Sequence, residues 1–462
     1  MFDINIKNFR SYTNQSFDFS RINILIGENS GGKSSLLKVL LSLKQTIENP
    51  TLSNYILSGN RVDLGSYKET VNNHDENKEI EFSFSFGEEL EGYFSYFLYD
   101  EIEKFTETEQ QAILSTIRNA ISQVVSVTYI LNKSLDIHSQ IKTRFKSEFL
   151  GDLLIEFTEF DKDENEYESI IPGRNCNLIY ISRLHNKTIV LERIGYEKKG
   201  FMSIVETSDL RKRCENYPEI KFLFYELALL LLNQNLLEYH LHNIEYLNPL
   251  LSKPERIYVN KDPQMQYMTS NLEKFASFIT KNKISKKNLN KFEDVLKKYG
   301  IADGFKVVQP KELPVSELRI KIKELSSNIS DVGYGVALQI PILFEAFIAE
   351  NSFGRNFLIE QPEVHLHPKL QAKFIETLLS LGDKNSYIIE THSEYIVRML
   401  QIIVKNNLFG ITNNDIRIFY FSREKDEFKI TKHDLDKNGK MIEMFPSGFY
   451  DNSYSLTKSL LL

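Results

Sequence analysis

Apolar and polar residues alternate from Phe2 through Ile4 and Ile6, with Phe9 closing the run. Strand side chains point alternately to opposite faces of a sheet, so this spacing predicts a β-strand. A second apolar run, residues 21–26, leads into a glycine-rich stretch and predicts another strand ending in a turn. From Ser34 to Ile47 the leucines and Val39 fall at helical spacings with no Gly or Pro, so the glycine stretch joins a strand to a helix.

Residues 85–300 read less regularly. A helical pattern covers about 101–130, strand-like pieces lie at 153–157 and 188–194, and a helical block covers 217–246. No fixed-period repeat and no sustained heptad is present. Order returns after about residue 315. The pattern predicts a helix over 335–350, a buried strand over 356–360, a helix over 368–381, a strand over 386–390 and a helix over 394–404. Such alternation at short spacing is the signature of a parallel sheet covered by helices, an α/β fold. Strand-like pieces at 416–422 and 427–432, followed by turn-rich sequence, suggest a small β addition.

Composition narrows the classes. The 462 residues carry 56 Lys plus Arg against 63 Asp plus Glu, a formal net charge of −7, which excludes a strongly basic nucleic-acid coat. With 42% hydrophobic residues and only 12 Pro, the chain can bury a large core. Cys176 and Cys214 fit no disulfide framework and no metal-ligand spacing, which points to a reducing cytosol. The first ten residues lack a secretory pattern. The longest apolar run, 222–232, is broken by Glu226 and falls short of the ~20 residues needed to cross a bilayer. A cytoplasmic protein without membrane contact is expected.

The chemistry concentrates at four places. Gly27, Glu28, Asn29, Ser30, Gly31, Gly32, Lys33 and Ser34 match GxxxxGK[ST] at every fixed position, between a predicted strand and a predicted helix. Glycines let successive backbone N–H groups turn toward phosphates, and the helix N-terminus adds its dipole. Lys33 reaches the β and γ phosphates, and Ser34 can hold Mg²⁺. Phe357-Leu358-Ile359-Glu360 is an apolar strand ending in a carboxylate, the kind of acid that holds the Mg²⁺ water shell in a P-loop nucleotidase. A third apolar strand ends in Glu390-Thr391-His392-Ser393, and Ser330 to Gln339 precedes Glu360 with Gly333 and Gly335 at its centre.

With these motifs in this order, the sequence resembles the ABC-type ATPases of the SMC, RecF and OLD group. The resemblance implies an ABC-type P-loop ATPase head with a mainly parallel sheet and a largely helical insertion, using ATP and Mg²⁺. It implies that Gly27 to Ser35 form the Walker A loop and that Glu360 is the Walker B acid, sharing the metal with Ser34. Ser330, Gly333 and Gly335 then belong to the signature motif, His367 falls at the D-loop, and His392 is the switch histidine. The expected division is an N-terminal part of the head over 1–85, a mainly helical insertion over 86–310, a C-terminal part over 311–410, and a β-rich extension over 411–462.

The tail around 436–451 and the run Tyr246-Leu247-Asn248-Pro249 are similar to bacterial antiphage defence ATPases of the PtuA type in Septu systems, although Leu250 or Leu251 stands where those proteins often place an arginine. That resemblance implies a head-to-head homodimer, in which the signature of one subunit completes the ATP site of the other. It also implies an effector partner, a nuclease from the same operon, because the chain beyond Ser393 is too short for a nuclease domain of its own.

Two positions depart from the pattern. Gln361 occupies the usual place of the catalytic glutamate and cannot accept a water proton, so hydrolysis is expected to be slow, with Glu363 the nearby carboxylate available to stand in. Residues 331–335 keep the glycines of the signature but not its usual serine-glycine-glycine string. His365 and His367 lack zinc spacing. The lysine-rich run 281–298 reads as a solvated helix face, with a nucleic-acid or partner surface as the alternative. Two rival functions stay open: a RecF-like DNA-binding repair ATPase, and a nucleotide-binding scaffold with negligible turnover.

Overall fold

The computed structural model describes residues 2–49, 55–86, 125–133, 142–147, 150–158, 175–199, 202–205, 207–218, 223–248, 254–259, 271–280, 285–310, 313–424 and 427–443, with a few single positions besides. The chain begins with β1 (Asp3–Phe9), β2 (Tyr12–Phe17), β3 (Ile22–Gly27), α1 (Lys33–Ile47), the short α2 (Tyr67–Thr70) and β4 (Ile80–Phe86). Six strands follow: β5 (Val125–Leu131), β6 (Lys142–Ser147), β7 (Gly151–Thr158), β8 (Asn175–Ser182), β9 (Lys187–Lys199) and β10 (Met202–Val205). Next come α3 (Thr207–Cys214), α4 (Leu223–His242), β11 (Ile244–Leu247), β12 (Tyr258–Val259), α5 (Asn271–Thr280), α6 (Lys286–Tyr299), β13 (Gly304–Val308), β14 (Val315–Ile322) and β15 (Leu325–Asn328). The C-terminal part runs α7 (Tyr334–Glu350), β16 (Asn356–Glu360), α8 (Pro368–Leu379), β17 (Ser386–Glu390), α9 (Glu394–Lys405), β18 (Ile416–Glu424) and β19 (Glu427–His433).

These elements form two compact units, Met1–Asp18 with Lys38–Asn243, and Phe19–Leu37 with Ile244–Leu462. The first unit holds a nine-stranded sheet in the order β10-β9-β8-β7-β6-β5-β4-β1-β2, whose described pairings are all antiparallel. Its strands bury alternate residues: in β8 Cys176, Leu178 and Tyr180 are inside while Ile181 is exposed. Helix α4 belongs to the same unit and carries the buried Glu226, which accepts hydrogen bonds from Tyr180 Oη at 2.9 Å and His185 Nε2 at 2.8 Å. Two donors on one carboxylate are what make a charge tolerable among leucines.

The expectation of a mainly helical insertion over 86–310 is therefore corrected: 125–205 contribute six strands. The physical reason is visible in β5, where Val, Thr, Tyr and Ile, residues that suit a pleated surface, replace the helix formers. Much of the helical pattern at 101–130 lies outside the described residues, and its end is β5 itself.

In the second unit a six-stranded sheet runs β11-β16-β17-β3-β18-β19, with β11, β16, β17, β3 and β18 parallel and only β19 antiparallel at one edge. Every residue of β3 is buried, as a central parallel strand covered on both faces requires. The neighbouring helices start at side-chain caps. Ser393 Oγ accepts from Ile396 N ahead of α9, and His367 Nδ1 accepts from Lys369 N, with Pro368 opening α8. A small second sheet, β12-β14-β13 with β15 on β14, packs with α5 and α6 into the same apolar core.

Two further boundaries move. Strand β18 pairs with β3 from Ile416 to Phe421, so the piece expected as an extension beyond 410 is a strand of the main sheet. Strand β11, inside the expected insertion, pairs parallel with β16. On α6, Phe292, Leu296 and Tyr299 are buried while Lys286, Lys287, Lys291, Lys297 and Lys298 are exposed, which is the solvated-face pattern; Lys281 and Lys283 lie outside the described residues.

Candidate functional site

The loop after β3 turns on three residues of positive φ: Gly27 at 130°, Ser30 at 61° and Gly32 at 99°. A side chain at Gly27 would place its Cβ 2.0 Å from the Phe421 carbonyl oxygen on β18, so backbone packing as well as φ demands glycine there. Glu28 N donates to that same carbonyl at 2.9 Å, and Gly31 N donates back to Glu28 O at 3.2 Å. Glu28, Asn29 and Ser30 are exposed at the tip, Gly31 is buried, and Ser35 N donates to Gly32 O at 2.9 Å in the first turn of α1.

Lys33, 3% exposed, threads back through the loop and donates to Gly27 O at 3.1 Å and Glu28 O at 2.6 Å. Burial lowers its pKa, while Glu390 and Glu28 oppose that shift. Ser34 Oγ donates to Glu390 Oε1 at 3.0 Å.

The acids arrive from the neighbouring parallel strands. Glu360 pairs with Glu390 across β16 and β17, and Glu390 pairs with Leu25 across β17 and β3, so all three strands deliver their C-terminal ends to one edge. Glu360 Oε2 accepts from the Tyr246 hydroxyl and from Asn248 Nδ2 at 2.8 Å. Tyr246 is held well above its usual pKa by burial and by the Glu360 charge, so it keeps its proton and donates. Glu390 is 2% exposed and its pKa is pushed up to about 7, by burial first, with the Ser34 hydrogen bond opposing and the Glu360 charge adding to the rise.

Around these acids the 361–367 loop folds tightly. Gln361 takes a φ of 45° and donates its N–H to Glu390 O at 2.7 Å. Glu363 Oε1 accepts from His392 N at 2.6 Å, while Glu363 Oε2 and Glu390 Oε2 are buried with no hydrogen-bond partner among the described residues. Burial raises the Glu363 pKa, against the hydrogen bond from His392, and burial together with the Lys33 charge lowers that of His392. Gln371 bridges the loop to α9, its Nε2 donating to Leu366 O at 3.0 Å and its Oε1 accepting from Ser393 Oγ at 2.6 Å.

The residues expected as the signature motif, Ser330, Gly333 and Gly335, flank the start of α7. Ser330 Oγ donates to Asn328 Oδ1 at 2.8 Å, Asp331 pairs with Arg256 at 2.7 Å, and Gly333 is exposed. Gly335 packs on the 361–367 loop so closely that a Cβ would lie 2.4 Å from His365 O. His365, at φ 62°, sets its ring edge-on to Tyr334 with 5.1 Å between centroids. Gln339 Nε2 donates to Pro362 O at 2.6 Å. The structure thus gathers the loop 27–35 with Glu360, Gln361, Glu363 and His392, and ties the start of α7 to the 361–367 loop.

Three polar residues of this cluster carry no role in the sequence reading. Glu390 carries the same signal as Glu360, an acid closing an apolar strand, while the family resemblance gives a role only to His392 of its motif. Tyr246 and Asn248 lie on and just after a four-residue strand that follows α4 by one residue, too short for a period-two pattern.

A family profile described as an AAA ATPase domain matches residues 1–397. The chain belongs to the AAA ATPase domain family. Its fold, with the glycine loop between β3 and α1 and the acids on adjoining parallel strands, is an α/β P-loop ATPase fold, as expected. No curated protein matches it. Solved structures similar to this AAA ATPase include an SMC head bound to the C-winged helix domain of ScpA, at 10% identity and TM-score 0.41 over 94% of this chain and 98% of that one. The SMC head domain from Thermotoga maritima is similar at 9% identity and TM-score 0.36, over 93% and 97%. An Smc head with an extended coiled coil, bound to the C-terminal domain of ScpA derived from Pyrococcus furiosus, is similar at 9% identity and TM-score 0.40, over 100% of both. No helix among the described residues is long and apolar enough to cross a membrane.

Proposed function

We propose that this ATPase binds Mg²⁺·ATP in the loop 27–35, hydrolyses it slowly, and uses the cycle to gate an effector protein in bacterial antiviral defence. The observation that carries the nucleotide part is the joined set of a buried Lys33, a Ser34 hydroxyl already bound to Glu390, and Glu360 at the next strand end. That donor set fits the group: backbone N–H groups and an ammonium for phosphate, a hydroxyl and carboxylates for a hard divalent cation. When bound, the cation supplies charge neutralisation at the phosphates.

The residues divide the remaining work. Lys33 leaves its two loop carbonyls to meet phosphate oxygens, Gln361 orients a water, and Glu363, with one buried oxygen unpartnered, accepts the water proton. The His392 ring stays uncharged at neutral pH because burial and Lys33 hold its pKa down, which suits a neutral donor to a γ phosphate. The exposed Gly333 and Tyr334 at the head of α7 offer a surface for the nucleotide of a second copy, giving an isologous homodimer with two composite sites. The tail around 436–451 and the run 246–249 support the antiviral placement through their likeness to defence ATPases.

Two experiments test this reading. Glu363→Gln is expected to lower phosphate release at least about tenfold while ATP affinity stays within twofold; equal turnover removes Glu363 from the chemistry. Co-expression with neighbouring genes, followed by mass analysis of what co-purifies with and without ATP, is expected to yield a nuclease whose retention depends on nucleotide. A lone dimer that holds DNA when ATP is present supports the repair clamp instead.

A further inference from the structure

The sequence assigns the metal site to Ser34 and Glu360, and on the reading above the cation lies beside Ser34 at the start of α1. We propose that Glu390 is a carboxylate of that Mg²⁺ seat, holding the Ser34 hydroxyl and facing the cation, while Glu360 is fixed from the other side by β11.

Strand order makes the first argument. Strand β17 lies between β16 and β3, so Glu390, not Glu360, stands on the strand adjoining the one that carries the loop. The second argument is a bond: Ser34 Oγ donates its proton to Glu390 Oε1 at 3.0 Å. A hydroxyl that gives its only proton to a carboxylate keeps its lone pairs for another partner, the state in which it can ligate a cation. The third is an orphaned atom. Glu390 is 2% exposed, and its Oε2 is buried without a hydrogen-bond partner among the described residues. Buried carboxylate oxygens are almost always satisfied, and a hard cation is the partner that an acceptor-only oxygen takes where no donor is provided.

Glu360 is occupied differently. Its Oε2 already accepts from Tyr246 and from Asn248 at 2.8 Å, side chains brought by the strand on the far side of β16. These bonds fix the Glu360 carboxylate in one orientation. Carboxylates at paired positions of adjacent strands repel each other, and a divalent cation beside Ser34 relieves that repulsion. Nucleotide binding therefore depends on the cation through Glu390 as well as through Glu360.

The test is equilibrium ATP binding by calorimetry, in MgCl₂ and in EDTA, for the full chain and its variants. The unmodified chain is expected to gain at least about tenfold in affinity from Mg²⁺. Glu390→Gln is isosteric and keeps an acceptor for Ser34; it is expected to lose that gain, its affinities in MgCl₂ and in EDTA agreeing within twofold. Glu390→Asp restores charge at a shorter reach and is expected to recover part of the gain. Ser34→Ala is expected to lose it too, with no further loss in the double variant. A full Mg²⁺ gain in Glu390→Gln overturns the inference. Should circular dichroism show that variant unfolded, a gain in Glu390→Asp equal to that of the unmodified chain overturns it equally. Failure of the unmodified chain to bind ATP in either buffer overturns the nucleotide reading on which the inference rests, so the two failures are distinct.

Discussion

Replacing Tyr246 by Phe removes one oxygen and nothing else from the nucleotide-site edge. The Tyr246 hydroxyl donates to Glu360 Oε2, and Asn248 Nδ2 donates to the same oxygen at 2.8 Å and to the Tyr246 oxygen at 3.0 Å. Phenylalanine fills the same space, so no cavity opens and the change isolates the hydrogen bond. A hydrogen bond to a charged group contributes about 1.5–3 kcal/mol. Glu360 and Tyr246 are only half-buried, so water replaces part of the lost bond and Asn248 keeps the other donor in place. The lower end, about 1.5 kcal/mol, is therefore expected, close to a tenfold effect wherever the Glu360 orientation matters. Steady-state phosphate release at saturating Mg²⁺·ATP should fall about tenfold, with the urea midpoint lowered by a matching amount and Lys33-dependent binding retained. Turnover within twofold of the unmodified chain, with an unshifted urea midpoint, would refute the claim that β11 holds the Glu360 carboxylate in place.

Gly27→Ala is expected to abolish nucleotide binding and to lower the melting temperature, since its Cβ would meet the Phe421 carbonyl at 2.0 Å with the residue held at φ 130°; titration with ATP and a thermal melt check both, and a variant that binds normally shows that β18 can yield. Gly335→Ala drives a Cβ to 2.4 Å from His365 O, so the 361–367 loop must shift. Turnover should fall several-fold more than ATP affinity, and a fall in both by the same factor would place the effect elsewhere.

How much of this was legible in the sequence differs by element, for reasons that can be named. Strands β16 and β17 occupy 356–360 and 386–390 as their apolar runs predict, because a parallel strand buried on both faces is written as an unbroken apolar run between helices. The glycine loop was legible for a similar reason: each fixed residue answers a local demand, such as the positive φ at Gly27 and Gly32. The sheet of the first unit was legible only in part: the pieces at 2–9, 153–157 and 188–194 are β1, β7 and β9, whereas β6 (Lys-Thr-Arg-Phe-Lys-Ser), which buries Phe145 and Ser147, shows little apolar contrast in its sequence. The role of Glu390 is not legible in the sequence because the Ser34–Glu390 bond joins residues 356 apart, a partnership fixed by strand order across the sheet. The same holds for Tyr246 and Asn248, which meet Glu360 only because β11 docks beside β16. At Gln361 the residue type is plain from the chain, but not the left-handed backbone, φ 45°, that tucks its N–H against Glu390 O.

Equilibrium ATP binding to the unmodified chain and to Lys33→Ala tests the central claim most directly. The account predicts Mg²⁺-dependent binding by the unmodified chain and at least about a hundredfold loss in the variant, whose missing ammonium is the group now held by Gly27 O and Glu28 O. Equal nucleotide affinity in the two proteins would contradict it.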